Sequence, residues 1–165
     1  MAINEAFIGE LQHEAATTRK LLERIPAETF DWKPHEKSMS MHRLAAHTAE
    51  MFGWISPTLE SDEMDFAKPY DQPNPTNTEE LLELLDKNVA TATESLRKTD
   101  DATFMKNWTL RNGEEIFLTM PKAAVVRSFV MNHIVHHRGQ LSVYLRLNDI
   151  PVPALYGPSA DEGQM

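Results

Sequence analysis

The amino-acid sequence predicts an all-α fold: a four-helix bundle with a small β-hairpin set before its last helix. Three observations carry that expectation. Four segments repeat apolar residues at helical spacing, a capping signature precedes the third, and an Asn-Gly turn separates two short apolar runs.

The first helix is expected from about Asn4 to Ile25, because Phe7, Leu11, Ala15, Leu22 and Ile25 recur near a 3.6-residue period and Pro26 stops it. Ser40 is a plausible N-cap for a second helix running to about Leu59, with Met41, Leu44, Ala45, Thr48, Met51 and Ile55 on one face. His47 lies on or beside that face. Thr76-Asn77-Thr78-Glu79 has the spacing of a capping box and opens a third helix carrying Leu81, Leu82, Leu85, Val89, Ala92 and Leu96. Asn112-Gly113 then sits between Trp108–Arg111 and Glu114–Leu118, which predicts a hairpin. Pro121 suits the first turn of a fourth helix reaching about Leu147, roughly 40 Å at 1.5 Å per residue. The connecting segments Pro26–Met39, Glu60–Pro75 and Arg97–Met120 exceed the short links of an up-down-up-down bundle, so at least one crossover connection is expected.

Composition narrows the function classes. A chain of 165 residues fits one domain, and no stretch approaches the eighteen uncharged apolar residues of a membrane span. The amino terminus lacks the basic and apolar regions of a secretory signal, so cytoplasmic residence is the expectation, and the Asn107-Trp108-Thr109 sequon is then accidental. A formal charge of −9, with no basic stripe, argues against nucleic acid as a partner. Without cysteine there is neither disulfide nor thiolate ligand, which leaves His, Asp and Glu as metal-binding side chains.

His133 and His137 stand four residues apart on the fourth helix and share a face with Val126, Val130, Leu141 and Tyr144. Two imidazoles buried together need partners for their nitrogens, and a metal ion meets that need. The inward-facing His47 on another helix adds a third imidazole and could complete an open, facial site. Spacing and face leave two readings standing: a metal centre, or hydrogen-bonded core histidines. His136 falls about 100° round the helix, at the rim. His13, His35 and His42 have no matching inward partner and read as structural or solvated. Glu50, one turn after His47, reads first as a solvated helix-face carboxylate, with ligand orientation or base work as the alternative. Arg138 suits either an anionic substrate or an ion pair with the acidic surface. The methionines and tryptophans read as core filling, and Gly139 as a site of close helix packing.

Two stretches carry a family resemblance. His133 to Leu141 (HIVHHRGQL), followed by Leu147 to Gly157 (LNDIPVPALYG), resembles the closing signature of the DinB/YfiT-like superfamily. Asp31-Trp32-Lys33-Pro34, then Leu44-Ala45-Ala46-His47, is similar to that family's entry into its second helix, so the resemblance covers nearly the whole chain. It implies an up-down-down-up bundle, often a homodimer, with His47, His133 and His137 as ligands of zinc, nickel or another divalent ion such as iron, manganese or cobalt. Thr48 departs from the aliphatic residue common after the first ligand. Relatives include metal-dependent thiol transferases using bacillithiol, mycothiol or glutathione, a maleylpyruvate isomerase, and proteins described as metal-dependent hydrolases. The functional expectation is therefore a small-molecule enzyme that activates water or a low-molecular-weight thiol. The alternative is a non-catalytic, stress-associated metal- or ligand-binding bundle.

Overall fold

The computed structural model describes residues 2–163. Helix predominates, and its elements follow from local sequence signals modified by packing. Helix α1 covers Ile3–Leu22 and buries Phe7, Leu11, Leu21 and Leu22. After it, Pro26 opens a single 3₁₀ turn, Ala27–Thr29. Helix α2, Met41–Met51, is capped by Ser40, whose hydroxyl accepts a hydrogen bond from the Arg43 backbone N–H at 3.1 Å. A cap of this kind contributes about 1 kcal/mol.

The single second helix expected from Ser40 to Leu59 is divided. A 3₁₀ turn at Phe52–Trp54 separates α2 from α3, Ile55–Glu60. The Asn88 side-chain amide donates to the Ala49 carbonyl at 3.0 Å, and a foreign donor in the helical ladder tightens it locally. Gly53 permits this approach, since a Cβ there would lie 2.9 Å from the Asn88 amide oxygen.

Strand β1 is Glu63–Asp65, and helix α4 is Thr78–Lys98. The capping box ahead of α4 lies one residue later than the sequence pattern suggested. Asn77 caps the Glu80 N–H at 2.9 Å, and Glu80 reaches back to the Thr76 N–H at 2.7 Å. A short α5, Asp101–Phe104, leads to strands β2, Asn107–Asn112, and β3, Glu115–Pro121. These two pair antiparallel on either side of Gly113, whose φ of +60° suits a residue without Cβ, and the register shifts between Leu110 and Arg111. Strand β1, which the sequence did not signal, pairs parallel with β2. Arg111 holds it there through Glu63 and Asp65, both at 2.7 Å.

The last helical segment is not the uniform α-helix expected from Pro121. One α-turn, α6 (Lys122–Ala124), passes into a π-helical stretch, Val125–Met131, before helix α7, Asn132–Leu147. The buried pairs Val125/Val130 and Val126/Met131 are five residues apart, the repeat of an i→i+5 helix. Four-residue spacing resumes from Val130 to Ile134, and Ile134, Leu141 and Leu145 continue the buried face.

Pairwise contacts fix the relative directions of the long helices. Thr78 at the start of α4 donates to the Ile25 carbonyl just beyond α1, while the Ile3 N–H at the start of α1 reaches Asp101 just past α4, so these two run oppositely. Asn88 meets Ala49 and Ser95 meets Ser56, so α4 runs alongside α2–α3 in the same sense. Tyr144 donates to the Met39 carbonyl while Trp54 stacks near Phe129, so α7 opposes α2. The core between them is built from Leu11, Leu21, Leu44, Leu81, Leu96 and Leu141 among others, each contributing about 1.5–3 kcal/mol by burial. A smaller cluster, Trp108, Leu110 and Val125, lies under the sheet. No helix among the described residues is long and apolar enough to cross a membrane.

Candidate metal centre

Helix α2 presents His47, and α7 presents His133 and His137 one turn apart. The three ring centroids stand 5.3, 4.9 and 4.5 Å from one another, and one nitrogen from each ring lies within 4.8 Å of the other two. Ligands of one ion at roughly 2.0–2.1 Å stand at most about 4.2 Å apart, so a small side-chain adjustment brings all three onto a common ion. Among the described residues this is the group of His, Asp and Glu side chains so arranged.

Hydrogen bonding aims two of the rings. His47 Nδ1 donates to Glu50 Oε2 at 3.3 Å, and His137 Nδ1 donates to Gln140 Oε1 at 2.7 Å. In both rings the proton then sits on Nδ1 and the Nε2 lone pair is free. Each acceptor lies three residues after its histidine. His137 Nε2 is buried and has no hydrogen-bond partner among the described residues, a state that protein interiors seldom leave uncompensated. A metal ion would supply the missing partner, so the residues fit one.

The electrostatics favour the neutral form of His133 and His137, the form a metal requires. Burial, followed by the neighbouring His137 and His47, pushes His133 down to about 4. Burial also lowers His137, against the opposing hydrogen bond to Gln140. Burial would raise the Glu50 carboxyl, but hydrogen bonds from His47 and Tyr70 outweigh it and hold the group below its usual range. Burial and that carboxylate push the Tyr70 phenol up, so its hydroxyl keeps its proton and donates to Glu50 Oε1.

Glu50 is thus not the solvated carboxylate that helix position alone suggested. It is 4% exposed and lies between His47, Tyr70 and Arg43, the last at 3.5 Å. Arg138 is 1% exposed and turned to α1, not to the acidic surface. It pairs with Glu14, and donates to the Glu14 carbonyl at 3.0 Å, to Thr18 and to the Tyr156 hydroxyl. His136 is exposed at the rim, and His13 and His35 are exposed as well. His42 hydrogen-bonds the Pro75 carbonyl at 2.8 Å and anchors the segment leading into α4. Gly139 faces open space, so it does not serve close helix packing.

Two positioning residues escaped the sequence. Gln140 could have been found by the same i+3 spacing that relates Glu50 to His47. Tyr70 carries no local signal, since the chain places it by a turn through β1. A cleft of about 630 Å³ opens beside His47 and Glu50, walled by α2–α3 and the segment from β1 to Gln72, including Trp54, Phe66 and Tyr70. That size is ordinary for a small-molecule site.

Similarity searches agree with this architecture. The chain is 27% identical over 160 residues, 94% of its length and 89% of the relative's, to the uncharacterized protein YrdA of Bacillus subtilis (strain 168). A DinB-like protein from Bacillus cereus ATCC 10987 superposes with a TM-score of 0.69 at 22% identity, over 92% of this chain and 97% of that one. YfiT from Bacillus subtilis, described as "a probable metal-dependent hydrolase with an unusual four-helix bundle topology", superposes with a TM-score of 0.64 at 16% identity, over 88% and 87%. At these identities the structures attest the fold alone. The sequence itself matches the DinB family over residues 1–164, and on that match the chain belongs to the DinB family.

Proposed function

We propose that the chain is a metal-dependent enzyme that holds one divalent ion through His47, His133 and His137. Zinc or nickel suits three neutral imidazoles best, with iron, manganese and cobalt as the other first-row candidates. The observation that carries the reading is the buried Nε2 of His137, without a partner among the described residues, in a ring that lies against two further imidazoles. The description of YfiT, whose fold this chain shares, as a probable metal-dependent hydrolase supports it. The helix contacts also support an up-down-down-up four-helix bundle, with the two imidazole-bearing helices antiparallel and adjacent.

When bound, such an ion acts as a Lewis acid and lowers the pKa of a water or thiol ligand, supplying a nucleophile at neutral pH. The chain's own part is geometric. Glu50 and Gln140 hold His47 and His137 in the tautomer that leaves Nε2 free, Tyr70 braces Glu50, and three protein ligands leave coordination positions open. The cleft beside His47 admits the substrate. With no cysteine in the chain, a thiol nucleophile comes from a low-molecular-weight thiol in solution; with water in its place the reaction is hydrolysis.

Metal analysis of untagged protein, followed by ester-hydrolysis and thiol-transfer assays before and after chelation, tests the reading. One ion per chain and turnover that vanishes on chelation are expected. Full turnover by metal-free protein would overturn the reading, and bound metal with no turnover in any assay would favour a non-catalytic binding protein.

A further inference from the structure

A chain of aromatic rings leads from the surface to the histidines. Phe117 on β3 stands 6.3 Å from Phe66, Phe66 stands 5.9 Å from Trp54, and Trp54 stands 6.2 Å from His47. A branch runs from Trp54 through Phe129, at 5.9 Å, to His133, at a further 5.8 Å. Core packing does not account for the outer part of this chain. Phe66 is 47% exposed, Phe117 49% and Tyr70 62%, and Phe66 and Tyr70 share the cleft wall with Trp54. Exposed aromatics gathered at the mouth of a cleft mark a ligand surface, because aromatic faces left to water gain most when another flat group covers them.

The charges of the cleft are largely committed already. Glu63 and Asp65 are engaged by Arg111, Glu50 by His47, Tyr70 and Arg43, and the exposed Lys68 at the cleft edge lies 4.0 Å from Glu63. Apart from Lys68 at its edge, the recognition left to the walls is therefore apolar and planar. Resting on the metal-enzyme reading above, we propose that the substrate class of this cleft is a compound bearing a flat aromatic group, which stacks on Trp54 and Phe66 while its reactive centre lies towards the histidines.

The test uses metal-free, full-length protein, so it is independent of the metal centre. Isotope-labelled protein is titrated with 2-naphthol and with its saturated counterpart decahydro-2-naphthol, following the Trp54 indole N–H resonance, assigned by its loss in Trp54→Phe. The aromatic probe is expected to shift that resonance and to bind at least fivefold more tightly than the saturated one. Phe66→Ala, at a position 47% exposed and with an unchanged circular dichroism spectrum as the check on folding, is expected to weaken naphthol binding at least threefold without changing metal stoichiometry measured in parallel. Equal affinity for the two probes, an unmoved Trp54 resonance, or undiminished binding by Phe66→Ala would overturn the proposal. A failure of metal binding would overturn the metal reading instead and leave these titrations as they are.

Discussion

Two neighbouring residues of α7 bury polar groups in opposite directions, with opposite results. Arg138 turns to α1, where Glu14, Thr18 and Tyr156 take up its donors. His137 turns to α2; its Nδ1 is matched by Gln140 on its own helix, and its Nε2 by nothing among the described residues. Both side chains are nearly inaccessible, at 1% and 5% exposure, so burial does not distinguish them. Completeness does. A satisfied buried network specifies the packing of helices, whereas a buried nitrogen left open among converging rings is what the proposed metal ion would complete.

The largest effect expected from this contrast falls on the satisfied side. Arg138→Ala leaves the Glu14 carboxylate buried without its partner and should destabilise the fold by about 3–5 kcal/mol in urea unfolding, a large share of an ordinary domain's stability. Replacing both partners, as Arg138→Met with Glu14→Leu, should restore most of that loss. A single variant as stable as the parent would break the contrast. On the open side, His137→Ala should leave helical content by circular dichroism unchanged and weaken metal binding by more than about 100-fold, beyond the 10–100-fold typical of losing an outer partner. Undiminished metal affinity would remove His137 from the ligand set.

Much of this was legible in the sequence, and the exceptions share a cause. The i, i+4 pair His133/His137, the inward His47 and the turn at Asn112-Gly113 are local or periodic signals that tertiary packing leaves in place. The 3₁₀ turn at Phe52–Trp54 was not legible, because it answers to Asn88 on another helix. Strand β1 exists because Arg111 gathers Glu63 and Asp65, and Tyr70 meets Glu50 only through that detour. The π-helical stretch left a trace in the five-residue spacing of Val125/Val130 and Val126/Met131, a pattern that a 3.6-residue template absorbs without notice. Arg138 was legible as charged but not as inward, since its partner lies on a helix more than a hundred residues away.

Smaller changes sharpen the contrast at the ring partners. Glu50→Gln should weaken metal binding by about 10–100-fold while keeping the fold, as expected when a ligand imidazole loses its orienting carboxylate. Tyr70→Phe, one step further out, should have a smaller effect in the same direction. Isothermal titration with zinc would show the order, and an effect of Tyr70→Phe exceeding that of Glu50→Gln would contradict the chain of hydrogen bonds.

The least effect is on acid stability. Folded His133 stays neutral down to about 4, whereas in the unfolded chain it takes up a proton near its ordinary value of about 6.5. As pH falls from about 6.5 towards 4 the unfolded state binds protons first, so the metal-free protein should lose stability across that window and show no such loss above it. His137, also lowered, adds with the same sign, and the lowered Glu50 carboxyl adds its own loss only at lower pH. Urea midpoints at pH 7, 6 and 5 should decline, and His133→Asn should flatten the decline; equal midpoints would refute the neutral, desolvated ring.

The most direct test of the metal centre is X-ray absorption on untagged protein titrated with zinc to saturation, read together with elemental analysis. One ion per chain with three imidazole nitrogens at roughly 2.0–2.1 Å, reduced to two in His137→Ala, is the predicted result. An ion held by fewer than three imidazoles in the parent protein, or a spectrum unchanged by His137→Ala, would contradict it.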